Sequence, residues 1–284
     1  MKSDGDEDGG VVPLEGLAAM SEIVREDVLT ARIALRAVLP VIKVMLEENP
    51  AMREKFKDVR ATVQFDADDP EYPMAAHIVL DHGQFQLVMA KAENPDLVFS
   101  FPSLRAMNAF FAGRPALPRL GPLLKGLFSR FGLLVKMLGV LLGLKLLMPN
   151  ARPKNPLQAR LKVKMTLYMV STALSQLNKA GDPEMKDWTS RQPERVYQWS
   201  VDGTDIACYL RVKAGNTQAG RGIYTRRRPF VHMRFRSIED ALPLLANEVD
   251  LVDAMARGMV VNDGSPEYGA KIGDFMQKIA KLLT

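Results

Sequence analysis

A single cysteine, Cys208, excludes an intrachain disulfide and a thiolate-rich metal site. It sits in an alternating apolar run, the setting of a buried, inert thiol. Aromatic residues are scarce, at 7% of the chain, and histidines number three. The chain has no P-loop, no G-x-S-x-G and no H-E-x-x-H, so the motifs of nucleotide, serine-hydrolase and zinc-protease chemistry are missing. Half a glycine fingerprint, Gly220-Arg221-Gly222, falls inside a strand pattern and reads as a bulge or a close backbone approach. His77, His82 and His232 have no carboxylate at ligand or dyad spacing. No catalytic residue, metal ligand or cofactor is therefore nominated. The acidic, Gly-rich start, Met1 to Gly10, lacks the basic and apolar regions of a secretory leader, so a cytoplasmic protein is expected.

The most telling absence is of negative charge. From Leu97 to Gly181, 85 residues contain no aspartate or glutamate and thirteen Lys or Arg. The chain as a whole carries +5, so the other 199 residues sum to −8. The basic character belongs to one region. Its centre, Leu120 to Met148, is mostly Leu, Gly, Phe, Val and Met, studded with Lys125, Arg130, Lys136 and Lys145. Cations interleaved with leucine, and few aromatics, argue against nucleic acid and for an anionic lipid surface. Three readings of the segment stand side by side: a membrane span, an interfacial helix or lid, and a buried helical hairpin. Its longest charge-free run is only Met137 to Leu144. A lysine near the centre of a span costs about 2.5–3.5 kcal/mol against roughly 0.5 returned per leucine. Gly139 and Gly143 form one GxxxG match, which also simply permits close helix packing.

The chain repeats itself. Asn49-Pro50-Ala51-Met52-Arg53 resembles Asp182-Pro183-Glu184-Met185-Lys186, and each follows an amphipathic helical pattern. Leu35, Val38, Leu39, Ile42, Met45 and Leu46 share one face in the first; Leu157, Leu161, Met165, Tyr168, Leu174 and Leu177 do so in the second. Val63-Gln64-Phe65 then matches Tyr197-Gln198-Trp199. Alternating runs follow in each copy (Ala76–Leu80 and Gln84–Met89; Ile206–Val212 and Gln218–Tyr224), separated by the turn sequences Asp81-His82-Gly83 and Ala214-Gly215-Asn216. At a spacing of 134, Pro95 to Ser103 aligns with Pro229 to Ser237. Alternation puts Leu97, Phe99 and Phe101 on one face, and Val231, Met233 and Phe235 on its equivalent. A helix is expected after each serine: Leu104 to Phe111 before Gly113, and Ile238 to Ala256 before Gly258.

The second copy closes on Gly258, Met259-Val260-Val261-Asn262-Asp263, Gly264, Ser265-Pro266-Glu267-Tyr268 and an apolar helix through Ile272, Phe275 and Ile279. This ending, with the strand and helix before it, resembles the lipid-transfer domain of the sterol carrier protein type-two family. The resemblance covers most of copy two and, more loosely, copy one. It implies an α+β fold of two such units, each a mainly antiparallel five-stranded sheet with helices on one face and an apolar cavity. It also implies non-catalytic binding and transfer of a sterol, fatty acid, acyl-CoA or phospholipid. Copy one departs from the pattern after Gly113, where Arg114-Pro115-Ala116-Leu117-Pro118 and the Leu-rich stretch replace the Gly-strand-Gly ending.

The expected organisation is an acidic tail over 1–12, a first unit over 13–148 with 120–148 as an insertion, a Pro-rich linker over 149–156 and a second unit over 157–284. The apolar ligand site is expected from Phe99, Phe110, Phe111, Leu124, Leu127, Phe128, Phe131, Leu134, Val135, Met233 and Phe275. Headgroup, phosphate or membrane contacts are expected from Lys125, Arg130, Lys136, Arg226, Arg227, Arg228, Arg234 and Arg236, guanidinium groups being suited to phosphate. The partners are then a lipid ligand and an anionic membrane met peripherally at its inner face, with a homo-oligomer allowed. An enzyme or enzyme accessory acting on acyl-CoA or an isoprenoid is the alternative, as is a structural module that uses the Leu-rich segment as an interface. For the cationic run Arg211 to Arg236, a solvated or salt-bridged sheet face competes with phosphate binding.

Overall fold

The computed structural model of the chain describes residues 21–283, and for 22–23 and 124–129 the backbone alone. The acidic tail expected over 1–12 lies outside the described residues. The described chain opens on a helical stretch: α1 (Glu22–Ile33), a π-helical turn (Ala34–Val38), a 3-10 turn (Leu39–Val41) and α2 (Ile42–Glu48). Pro40 has no N–H for the ladder, and the helix changes its winding around it. Asn49 ends α2 in an extended conformation, and α3 (Pro50–Phe56) starts on proline, as the Asn-Pro pair predicts.

Two compact units divide the chain, one of Met1–Ala31 with Ala51–Gly139 and one of Arg32–Pro50 with Val140–Thr284. The division is not the linear one expected at 149–156. The helix that reads as the opening of copy one, with Leu35, Leu39, Ile42 and Leu46 buried, belongs to the second compact unit.

In the first unit, β1 (Arg60–Ala67), β2 (Met74–Asp81), β3 (Gln84–Val88) and β4 (Leu97–Phe101) form a sheet of order β3-β2-β1-β4. Only β1 and β4 run parallel. Phe65 stacks on Phe99 with ring centroids 5.0 Å apart, the pairing expected of neighbours on one sheet face. Next comes α4 (Leu104–Phe111), capped by the Ser103 hydroxyl, which accepts from the Ala106 N–H at 3.2 Å. It lays Phe110 and Phe111 over Phe99, Phe101 and Phe65. A long helix, α5 (Leu120–Leu144), follows.

In the second unit α6 (Pro156–Lys179) is capped by Asn155 and α7 (Pro183–Ser190) by Asp182. Then β5 (Arg195–Val201), β6 (Ala207–Lys213), β7 (Asn216–Arg221), β8 (Val231–Phe235) and β9 (Val260–Gly264) form a five-stranded sheet of order β7-β6-β5-β8-β9. Again the central pair, β5 and β8, is parallel and the others antiparallel. Val63 faces Leu97 and Ala67 faces Phe101; Tyr197 faces Val231 and Val201 faces Phe235. The 134-residue offset is therefore kept in the pairing itself. The β2–β3 and β6–β7 hairpins each turn on two left-handed residues, His82-Gly83 and Ala214-Gly215, whose positive φ matches the twist of the flanking strands.

The expected sheets need one correction. Both are mainly antiparallel, as expected, though mixed by one parallel pair each, and among the described residues the first has four strands, not five. The missing strand is the one for which copy one has no Gly-bounded segment. The helix expected over Ile238–Ala256 is two helices, α8 (Ile238–Leu245) and α9 (Leu251–Ala256). Asn247, left-handed at φ 56°, follows the end of α8, and the Asp250 side chain caps α9 by accepting from the Asp253 N–H. The closing helix, α10 (Pro266–Leu283), buries Ile272, Phe275 and Ile279 as its spacing predicts.

The amphipathic reading of α6 is too simple, because every residue from Leu161 to Met169 is buried. Lys162 and Lys164 have internal partners there, as burial demands, while the Thr166 hydroxyl is buried without one. Lys162 donates to the carbonyls of Met148 (2.9 Å) and Ala151 (2.7 Å). Lys164 pairs with Glu48 and with Asp205 (2.7 Å to the latter). Further along, Arg32 donates to Gln176 at 3.0 Å and Ser175 bonds Thr217. Cys208 is fully buried against the Leu167 carbonyl, as expected.

Candidate functional site

The acid-free segment becomes α5, which is kinked at Arg130 (φ −141°, ψ 44°), where the guanidinium pairs with Asp96 at 2.9 Å. Beyond the kink the helix has two apolar faces. Leu133, Leu134, Met137, Val140 and Leu144 are buried. Phe131, Val135, Leu138 and Leu142, at 62%, 52%, 43% and 60% exposure, repeat at steps of four, three and four residues. That spacing places all four on one stripe. Lys145 is exposed one turn further on. At Gly143 the Met45 methyl fills the place a Cβ would take, so this half of the GxxxG match is a close-packing site; Gly139 has open space beside it. Among the described residues no helix is long and apolar enough to cross a membrane.

The residues expected to line one tunnel fall into separate groups. Phe99, Phe110 and Phe111 form an aromatic cluster with Phe65 and Phe101 in the first unit. Met233 and Phe275 are buried in the second, Phe275 against Trp188. Leu134 is buried, while Phe131 and Val135 face solvent. Leu124, Leu127, Phe128 and Lys125 lie outside the described side chains.

The basic residues also divide. Acidic residues from outside the run Arg211–Arg236 meet several of them. Glu194 takes Arg211 (2.8 Å), Arg227 (3.4 Å) and Lys213 (3.8 Å), and the hydrogen bond from Arg211 holds its carboxyl below the usual range. Arg234 pairs with Asp263 (3.0 Å) and Asp202 (3.7 Å). Part of the cationic run is thus a salt-bridged sheet face. Arg226 and Arg228 are exposed, and among the described residues no carboxylate pairs with them. Arg236 is exposed beside Gly258, and Lys136 is half-buried on α5.

Arg227 and Arg228 reach a pocket that the sequence reading did not contain. It has a volume of about 520 Å3 and is lined by Glu194, Arg195, Arg227, Arg228, Phe230, His232, Asp263 and Gly264, among others. Arg195, the first residue of β5, is among the lining residues. The guanidinium carbon lies 4.1 Å from the Phe230 ring centroid and 4.2 Å from that of Tyr268. The two rings are nearly perpendicular, at 84° with centroids 5.2 Å apart, so the cation sits in the corner between them. Its Nη1 is buried without a hydrogen-bond partner. Tyr197 beside it has its phenol pushed up by burial and donates to Gln192. On the pocket wall, His232 Nε2 is 2.8 Å from the Ser200 hydroxyl. Burial first, and then the Arg234 charge, lowers its pKa, which favours the neutral ring. Gly264 closes the rim at φ 115°, where any Cβ would overlap the Phe230 carbonyl oxygen.

Gln198, in the strand beside the pocket, explains the matched triplets. Its Oε1 accepts from the Tyr224 N–H (3.0 Å), and Gln64 in the first unit accepts from the Ala92 N–H (2.8 Å). Both glutamines pin the connection between third and fourth strands. Gly220 lies opposite Tyr209, whose ring occupies the site of its absent Cβ, and Gly222 is left-handed at φ 83°. The half fingerprint is thus a close approach within a sheet.

Among the described residues no three His, Cys, Asp or Glu come together to hold a metal. No protein-family model matches the chain, and no curated protein does either. Solved structures to which the chain is similar include two of the sec-alkyl sulfatase PisA1. A double mutant of it shares 14% identity and a TM-score of 0.27, with 61% of this chain and 32% of that one covered. The stereoselective inverting enzyme from Pseudomonas sp. shares 17% and a TM-score of 0.24, with 54% and 29% covered. The chain thus spans about a third of the sulfatases' length, at a similarity too low to place it in their family.

Proposed function

We propose that this protein binds and transfers a hydrophobic lipid ligand without chemistry, docking peripherally on anionic membranes through α5. The exposed stripe Phe131-Val135-Leu138-Leu142 carries the reading. Four large apolar side chains on one solvent-facing helix stripe need a partner surface. The 85-residue acid-free window that contains them favours a negatively charged one. A helix with apolar residues toward the acyl boundary and cations at the headgroup level lies on a bilayer rather than across it.

The carrier half of the proposal rests on the resemblance to the sterol carrier type-two family. The second unit's five-stranded sheet and its Gly258–strand–Gly264–helix ending support it. Lipid extraction and native mass spectrometry of the purified protein test this half. A bound lipid in stoichiometric amount is expected; a lipid-free protein that also fails to bind an apolar fluorophore overturns it. Vesicle flotation tests the docking half. Binding is expected to phosphatidylglycerol-containing vesicles at low salt and to weaken at 1 M salt, where the screening length is only about 3 Å. Binding indifferent to both lipid charge and salt overturns it.

A further inference from the structure

We infer that the Arg195 pocket in the second unit is a binding site for a phosphate-class oxyanion attached to an apolar body. Four observations converge. The guanidinium of Arg195 is held in the corner between the perpendicular rings of Phe230 and Tyr268, and its Nη1 has no hydrogen-bond partner. An orphaned buried donor is costly, and an anion at the guanidinium edge is the ligand suited to relieve it. Arg228 lines the same pocket with no carboxylate of its own among the described residues, whereas Glu194 and Asp263 are already engaged by Arg211 and Arg234. The volume of about 520 Å3 lies within the roughly 300–1,000 Å3 of small-molecule sites. Finally, Pro193, Val196 and Phe230 supply an apolar wall beside the cations.

The comparison between the copies separates this site from generic sheet architecture. At the 134-residue offset, Arg195 corresponds to Ala61 and Phe230 to Asp96. Asp96 instead accepts from the Thr62 N–H (2.8 Å) and pairs with Arg130. The first unit therefore lacks both the cation and the ring that flanks it.

The inference deepens the carrier proposal by naming the headgroup chemistry, and it rests on that proposal only for the source of the anion. His232 is the reporter, because it shares the pocket and an arriving anion shifts its ring resonances and raises its pKa. The experiment titrates the full chain by NMR at constant ionic strength, with inorganic phosphate in one arm and monomeric dihexanoyl phosphatidate in the other. Saturable His232 shifts are expected, weakened about tenfold or more in Arg228→Ala and abolished in Arg195→Met. Arg228 is exposed, so its variant keeps the test informative if Arg195→Met unfolds. Phosphatidate binding at least tenfold tighter than phosphate assigns the site to a lipid headgroup; equal affinities assign it to the free oxyanion. No saturable shift in either arm overturns the inference, as do shifts that Arg228→Ala leaves unchanged. Because neither arm uses vesicles, membrane docking can fail while this site stands, or stand while it fails.

Discussion

Replacing Phe131 and Leu142 together by alanine trims the two most exposed members of the α5 stripe. Complete burial of a large apolar side chain is worth about 1.5–3 kcal/mol. Phe131 and Leu142 are 62% and 60% exposed. The area still available to a membrane is thus worth roughly 1–2 kcal/mol each, or about 2–4 kcal/mol for the pair. At 1.4 kcal/mol per decade this weakens vesicle partitioning roughly 30- to 1,000-fold. Folding stability is expected to change by less than about 0.5 kcal/mol per site, since both side chains face solvent. Leu134→Ala is the internal control. That side chain is 6% exposed, so its loss costs about 2–5 kcal/mol of stability and leaves the docking stripe intact. Flotation on anionic vesicles, paired with urea unfolding, reads both quantities. A double variant that floats like the parent chain refutes docking through this stripe. One that loses stability instead shows that the stripe is core.

Three further outcomes are expected. Asp205, bonded first by Lys164 and then by Arg160, has its pKa lowered to about 2, so its stabilisation is present above its unfolded value near 3.8 and is lost as pH falls toward 2. Asp205→Asn flattens that part of the acid-unfolding profile, and superimposable profiles for the two proteins count against the ion pair. Gly264→Ala, at φ 115° and against the Phe230 carbonyl, destabilises by about 1–3 kcal/mol or more; an unchanged thermal midpoint is the contrary result. Burial pushes the Cys208 thiol up to about 12, so iodoacetamide at pH 8 labels it only in denaturant, and rapid labelling of the folded protein contradicts its placement.

What was legible in the sequence was local. The fourth strands carry period-two alternation between fixed Pro and Ser residues, and they form as read, Leu97–Phe101 and Val231–Phe235. The hairpin turns were legible because left-handed geometry leaves few residues to choose from. Helix α6 was harder, since a helix covered on all sides keeps lysines inside. Lys162 and Lys164 look solvent-facing until carbonyls and Glu48 arrive from distant segments. The corner that holds Arg195 joins residues 195, 230 and 268, and no spacing announces it. Its one signal was the mismatch between copies, arginine against Ala61 and phenylalanine against Asp96. The cationic run looked free of acids because Glu194, Asp202 and Asp263 reach it from other strands and turns.

The placement of Arg32–Pro50 with Val140–Thr284 makes the second unit discontinuous along the chain, with Ala51–Gly139 threaded into it as an excursion. On a ribosome, the first sheet is synthesised in full before α6 exists. The buried helix at residues 32–50 must wait for a partner more than a hundred residues downstream, as Arg32 does for Gln176. Long closures of this kind slow folding and leave apolar surface uncovered in the meantime. Cutting the chain at its Pro-rich join would therefore not yield two self-sufficient halves. A fragment starting there would lack Glu48, the partner of Lys164 and Arg160, along with the apolar helix that accompanies it.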